Sequence, residues 1–283
     1  MTTLGLIGLG RIGAFHTETL TGLADLDGLV ITDERTELVK QVAAKYGATP
    51  VDSVEALLSS GVDGVIVATA TPAHAALTLA AVERGLPTFC EKPIASTAAE
   101  GAHLAEIIAR SGVPVQVGYQ RRFDVAFAAA KAAVDSGALG PLHTVRSTTM
   151  DPAPPPMDYI AGSGGIFRDC AVHDFDILRW ITGQEAVEVY ATGSVQGDPL
   201  FTEYGDVDTA AVTVKFESGT LGLVSAARYN GRGHDCRLEV HGFNDTVAAG
   251  WDQGVPIRNT DPRNDFPTGP AHHFFMEDRK SVV

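Results

Sequence analysis

A chain of 283 residues, 45% apolar and 20% charged, has the balance of a globular protein with about two domains. Lys and Arg number 21 against 35 Asp and Glu, a net charge of −14 that repels phosphate backbones and anionic membranes and sets nucleic-acid binding aside. Cys90, Cys170 and Cys236 are widely spaced and form no Cys-x-x-Cys pair, which argues against a disulfide framework and a zinc site. No basic segment precedes the first apolar run, and no apolar run approaches the ~20 residues that span a bilayer. A cytoplasmic protein is expected.

In chain order, Leu4 to Ile7 is a short apolar strand that runs into Gly8-Leu9-Gly10-Arg11-Ile12-Gly13, and a helical pattern follows to about Leu23. Leu29 to Thr32 is a second strand, stopped by Asp33. Thr36 to Tyr46 reads as a helix closed by Gly47, and Ser53 caps a short helix to Leu58. Gly64 to Ala68 has the continuous apolar character of a strand buried on both faces. Then come a helix from Ala73 to Arg84, a strand Thr88 to Cys90, a helix Thr97 to Ser111 and a strand Val113 to Val117. This alternation predicts a doubly wound parallel sheet, α/β in class, up to about residue 122.

Beyond it the pattern changes. A helix from Ala126 to Ser136 is followed by a strand from Leu142 to Thr149, and the four prolines of 151–156 make a loop. Ile177 to Ile181 lies in a helix. Strands are expected at Val187 to Val195, Ala210 to Phe216, Thr220 to Ala227 and Arg237 to His241, with a hairpin turn at Gly219. Residues 123–283 therefore read as an α+β domain with a largely antiparallel sheet and helices on one face.

Gly8-x-Gly10-x-x-Gly13 lies between a strand and a helix, and Asp33 ends the next strand 20 residues later. Gly8 permits the tight turn, Gly10 admits a pyrophosphate to the backbone, and Gly13 lets helix meet strand. Phosphate charge would sit at the helix N-terminus, where Arg11 and Ile12 open the first turn. Asp33 can accept from both adenosine ribose hydroxyls and repels a 2′-phosphate, which predicts NAD over NADP; Arg35 is close enough in sequence to reach toward such a phosphate. This is a Rossmann domain in its sequence signature.

Further motifs follow: Val67-Ala68-Thr69 with His74, Glu91-Lys92-Pro93, Gly118-Tyr119-Gln120-Arg121-Arg122-Phe123-Asp124, Asp151-Pro152-Ala153-Pro154-Pro155-Pro156, and Gly164-Gly165-Ile166-Phe167-Arg168-Asp169-x-x-x-His173-Asp174-Phe175-Asp176. With these the chain resembles the Gfo/Idh/MocA oxidoreductases, from residue 4 to about 276, and within them the inositol 2-dehydrogenases. The resemblance implies NAD contacts from Thr69, His74, Glu91, Lys92 and Gln120 beside the glycine loop. It also implies a catalytic group of Lys92, Asp169 and His173, and a dimer or tetramer joined through the second domain's sheet.

The chemistry suits those residue types. Oxidising a secondary alcohol needs a base near neutral pH, and His173 fits. Asp169 lies four residues earlier; on a continuous helix the two would share a face, where the carboxylate could orient the imidazole or hold a hydroxyl. Lys92 follows a strand at its C-terminal end and offers an ammonium to a developing alkoxide. Arg121, with Gln120 beside it, is expected to face substrate or nicotinamide, while Arg122 reads equally as a salt-bridged structural residue. Asp151 is a candidate acceptor for polyol hydroxyls. His234, in Tyr229-Asn230-Gly231-Arg232-Gly233-His234-Asp235, stands where many inositol dehydrogenases carry a second tyrosine and is a candidate substrate contact. Asp174 and Asp176 read as supports of the helix. His272 and His273 are adjacent, with no acidic partner spaced around them, so no metal is expected.

The reading is an NAD-dependent dehydrogenase of myo-inositol or a related polyol. The alternatives are an aldose or other sugar dehydrogenase, or a non-catalytic protein that senses NAD and sugar. The resemblance stops at Glu277, where family members continue with C-terminal helices, so a shortened C-terminus is expected.

Overall fold

A computed structural model describes residues 1–231 and 233–250 of the chain. The described residues fall into two compact units that part between Tyr119 and Gln120. The expectations for residues 272–283 lie outside them.

The first unit alternates strand and helix throughout: β1 (Thr3–Ile7), α1 (Arg11–Thr21), β2 (Gly28–Thr32), α2 (Thr36–Tyr46), β3 (Thr49–Pro50), α3 (Val54–Leu58), β4 (Gly64–Val67), α4 (Thr71–Val82), β5 (Thr88–Cys90), α5 (Ala98–Ser111) and β6 (Val115–Val117). All pairs are parallel, in the order β3-β2-β1-β4-β5-β6. Successive residues point to opposite faces, so each strand feeds two cores. Leu6, Ile31 and Ile66 pack with Leu20 and Val39 on one face. Ile7, Val30, Val65 and Val67 pack with Leu57 and Ala81 on the other. That is why β4 is buried along its whole length. Ser53 caps α3 by accepting from the Ala56 N–H, and Thr97 caps α5 from Glu100. The strand order reverses between β1 and β4, and the carboxyl ends flanking that reversal are where open α/β sheets bind ligands.

The second unit begins with a 3₁₀ turn, Gln120–Phe123. Its elements are α6 (Val125–Asp135), β7 (Leu142–Met150), α7 (Met157–Ser163), α8 (Ile166–Asp169), α9 (Val172–Thr182), β8 (Ala186–Ser194), α10 (Leu200–Glu203), β9 (Thr209–Phe216), β10 (Leu221–Ala227), β11 (Asp235–Gly242) and β12 (Thr246–Ala249). Six strands lie in the order β12-β11-β7-β10-β9-β8, antiparallel except for β7 beside β10. Strand β9 shows why the sheet is two-sided: Ala210, Val212, Val214 and Phe216 are buried, while Ala211, Thr213 and Lys215 are exposed. The buried side meets α6 and α9 in one core with Phe127, Ile177, Leu178 and Ile181.

One local expectation is corrected. Asp169 and His173 do not lie on a continuous helix: α8 ends at Asp169 and α9 starts at Val172. The Ala171 N–H bonds back to Ile166 O, five residues away, at the point where the two helices part. Something other than helical spacing must orient Asp169.

Candidate active site

The glycine loop of the first unit fits a dinucleotide. Gly8 has φ +95, and a Cβ there would lie 2.6 Å from Ala68 O. A Cβ at Gly13 would lie 2.0 Å from Gly8 O, so helix α1 can approach β1 only with glycine at that place. Gly10 differs: its nearest neighbour is the Arg35 Nη2 at 3.8 Å, leaving open space above the backbone. Helix α1 has no side-chain cap and no acidic residue in its first turn. The start of a helix, where the N–H groups and the helix dipole point outward, suits an anion.

Asp33 sits at the carboxyl end of β2. Its Oδ2 accepts from the Leu9 N–H at 2.7 Å and Arg35 Nη2 at 3.0 Å, and its Oδ1 accepts from the Arg35 N–H and Nε at 2.9 and 2.8 Å. The Arg35 guanidinium lowers the Asp33 pKa to about 2; burial opposes this, and the backbone N–H groups assist. Asp33 is thus fixed as an anion beside the loop.

Around Lys92 the structure assigns two expected cofactor contacts to other work. His74 is buried, with Nδ1 2.7 Å from Pro93 O and Nε2 3.1 Å from Thr69 O. It ties the turn after β4 to the segment carrying Lys92, and its ring nitrogens are occupied by backbone carbonyls. Glu91 Oε1 meets His16 Nε2 of α1 at 2.7 Å, so that carboxylate anchors the segment to the helix. Both hold the backbone on either side of half-buried Lys92. Thr69 is half-buried at the same turn, and Gln120 opens the second unit.

Arg121 is placed differently from the expectation that it faces substrate. It is buried, and its Nη1 bonds Asp174 Oδ1 at 2.8 Å while Nη2 bonds Thr149 Oγ1 at 2.5 Å. Asp174, 0% exposed, also accepts from Ser147 and Thr149. This pair explains why two polar side chains of β7 point into the core: they complete the shell of a buried charge. Arg122 pairs with Asp176 in the same way at a more open position.

Asp169 is held by residues the sequence reading missed. Arg228, at the end of β10 and 2% exposed, donates from Nη2 to Asp169 Oδ2 at 2.9 Å and from Nη1 to Asp151 Oδ2 at 3.2 Å. The Tyr159 hydroxyl donates to Asp169 Oδ1 at 2.9 Å. His234 Nδ1 lies 3.6 Å from Asp151 Oδ1. Burial opposes the charge of Arg228, but Asp169 and Asp151 outweigh it and raise its pKa above the ordinary value. The second unit thus brings together Asp151, Asp169 and His234 of the expected substrate set, and His173 is buried four residues beyond Asp169. The signal for Arg228 was an arginine directly after the apolar run 221–227, a charge placed where the strand is still buried.

Burial pushes the Cys90 and Cys170 thiols up to about 12, which leaves no thiolate nucleophile at either position. No helix among the described residues is long and apolar enough to cross a membrane.

Residues 2–119 match the oxidoreductase family with an NAD-binding Rossmann fold, and residues 127–248 match the GFO/IDH/MocA C-terminal domain. The chain belongs to the Gfo/Idh/MocA oxidoreductase family. It is 38% identical over 277 residues to the myo-inositol 2-dehydrogenase of Thermotoga maritima, covering 97% of this chain and 82% of that protein. The solved myo-inositol dehydrogenase of Corynebacterium glutamicum superposes with a TM-score of 0.87 at 33% identity, covering 100% of this chain and 86% of that one. The scyllo-inositol dehydrogenase of Lactobacillus casei, solved with bound NAD(H) and scyllo-inositol, gives 0.84 at 25% identity, over 100% of this chain and 88% of that one. The cofactor of this Gfo/Idh/MocA chain is NAD, and the loop of Gly8, Gly10 and Gly13 with Asp33 has the shape and charge to hold it.

Proposed function

We propose that this chain oxidises a ring hydroxyl of myo-inositol or a closely related cyclic polyol to the ketone. The observation that carries the reading is the pair of carboxylates, Asp151 and Asp169, joined by Arg228: a polyol presents several hydroxyl donors, and this pair offers charged acceptors for them. The names of the relatives support the same substrate class.

NAD, when bound, supplies the acceptor for the hydride that leaves the carbinol carbon. The protein handles the proton. His173 takes it from the hydroxyl oxygen, Asp169 holds or orients the hydroxyl, and the Lys92 ammonium steadies negative charge on that oxygen as the carbonyl forms. Proton and hydride both leave the alcohol, which balances as a two-electron oxidation. Lys92 receives its role from its residue type and its place after β5. Arg121 is left out of the substrate contacts, because its guanidinium is committed to Asp174.

We also place the protein in the cytoplasm, as a homo-oligomer built through the solvent face of the second sheet, where exposed Tyr190 lines a shallow hollow of about 310 Å³. Sedimentation of the purified chain as a monomer would remove that part.

The reaction is tested with purified protein, NAD and a panel of polyols and aldoses, following the absorbance of reduced nicotinamide. Turnover of myo-inositol is expected. Lys92→Ala and His173→Ala should still bind NAD and lose about 10²- to 10⁴-fold in rate, the usual contribution of such groups. Unchanged rates in both variants overturn the assignment; turnover of an aldose alone moves the substrate.

A further inference from the structure

We propose that Arg228 is the positioning residue of this site, holding the Asp169 and Asp151 carboxylates side by side and charged so that together they accept two hydroxyls of one polyol. The proposal rests on the reaction proposed above and adds to it the group that makes the two acceptors a pair.

Three observations support it. The guanidinium is planar, and its two terminal nitrogens each reach a different carboxylate, at 2.9 and 3.2 Å. The two acids come from separate places: Asp151 opens the proline loop after β7, and Asp169 closes α8. No local turn or helix spacing brings them together, so the bridge itself sets their separation. The backbone then fixes the bridge. The Arg228 N–H bonds Asp208 O at 2.8 Å, and the Asp151 N–H bonds Ala227 O at 2.9 Å, tying the end of β10 to the start of the proline loop.

The side chain also bears a cost. Buried Nε of Arg228 has no hydrogen-bond partner among the described residues, although burial normally demands one. An arginine present only for stability would more readily be replaced by an apolar residue of similar size. What such a replacement cannot do is keep two neighbouring carboxylates ionised. Without the cation, their mutual repulsion raises the pKa of one of them, and the pair then titrates as a unit. Other groups meet the cluster: Tyr159 from α7 donates to Asp169, exposed His234 approaches Asp151, and buried Cys170 follows Asp169 in the chain. Arg121 is engaged by Asp174 and is not placed to substitute. Arg228 is therefore the cation that the Asp151–Asp169 pair depends on.

The test compares Arg228→Gln and Arg228→Lys with the wild type in the full chain. NAD affinity, read by fluorescence titration, should be unchanged and reports that each variant is folded. For myo-inositol, kcat/KM of Arg228→Gln should fall roughly 100-fold near neutral pH, as expected for displaced substrate-holding groups. Its pH profile should gain an ionisation absent from the wild type. Arg228→Lys keeps the charge without the fork and should recover part of the loss.

A second readout does not involve turnover. A carboxylate whose folded pKa is raised stabilises the fold below its unfolded pKa and loses that contribution as pH rises through the folded value. The stability gap between wild type and Arg228→Gln in urea should therefore be wide at about pH 7.5 and narrow at about pH 4.5. A gap independent of pH, with no recovery in Arg228→Lys, overturns the proposal. A wild type that turns over no polyol refutes the reaction instead, and the stability series then decides the role of Arg228 by itself.

Discussion

The two units build their sites from different material. In the first, the proposed cofactor site is mostly backbone: a glycine turn and the uncapped start of α1, joined by one aspartate side chain that follows the adjacent strand. In the second, the proposed substrate groups are side chains from separate parts of the chain, and two of them, Asp169 and Asp151, are held by Arg228 across 59 and 77 residues of sequence. A backbone site tolerates almost no added atoms yet carries little electrostatic strain. A side-chain site tolerates changes of shape, but each buried charge depends on a distant partner. Substitutions should therefore fail differently in the two.

The largest effect is expected where a charge is buried deepest. Asp174→Ala removes the partner of Arg121 in a shell that also includes Ser147 and Thr149. It leaves a guanidinium stranded in the core, which costs about 3–5 kcal/mol. Urea unfolding followed by Trp180 fluorescence, from α9, measures it. A loss below about 1 kcal/mol would mean the pair is no more than an exposed surface bridge.

The glycine loop separates stability from binding within one motif. Gly13→Ala places a methyl 2.0 Å from Gly8 O and should destabilise by about 1–3 kcal/mol, with NAD binding lost as α1 shifts. Gly10→Ala meets nothing closer than 3.8 Å and should leave the melting temperature unchanged while still weakening NAD, because its methyl stands where the pyrophosphate approaches. If both variants lose stability equally, the open space at Gly10 is not a ligand cradle.

The same contrast decides how much of the molecule was legible in the sequence. The first unit was readable nearly element by element, because its signals are local: Ser53 and Thr97 cap the helices they precede, Gly47 closes α2 at φ 71, and apolar runs mark buried strands. Only the two-residue β3 escaped, being too short to show a pattern. In the second unit the long strands were found by alternation, while β12 and the short helices α7, α8 and α10 were not. Asp169 and His173 were legible as chemistry, but not the break between their helices, which is marked by a backbone bond from Ala171 to Ile166. Arg121 was misplaced because an arginine beside a motif reads as a ligand contact until its buried partner, 53 residues away, is seen. Arg228 went unnoticed for the same reason. A charge beside an apolar run marks a buried arginine, but nothing in either local sequence names its partner.

The smallest effect expected lies at the edge of the cofactor loop and tests whether a side chain modulates the backbone site. A carboxylate offers about four acceptor positions, and Asp33 has all four filled, three of them by Arg35. Two ribose hydroxyls can be accepted only if the Arg35 guanidinium, on a side chain 61% exposed, withdraws. Arg35→Ala should accordingly tighten NAD, by no more than about fivefold, since an exposed pair contributes about 0–1 kcal/mol. Asp33→Ala should weaken NAD and, by freeing Arg35 to meet a 2′-phosphate, improve NADP; the double variant Asp33→Ala/Arg35→Ala should lose that gain. Stability carries a matching signature. The Asp33 pKa is lowered from 3.8 to about 2, so its contribution is present above the unfolded value and disappears as pH falls through about 2. Arg35→Ala should thus be slightly less stable than wild type above about pH 4, with the difference closing towards about pH 2. Fluorescence titrations with NAD and NADP, and urea midpoints across that range, measure both; an Asp33→Ala preference that persists in the double variant would show that Arg35 takes no part in choosing the cofactor.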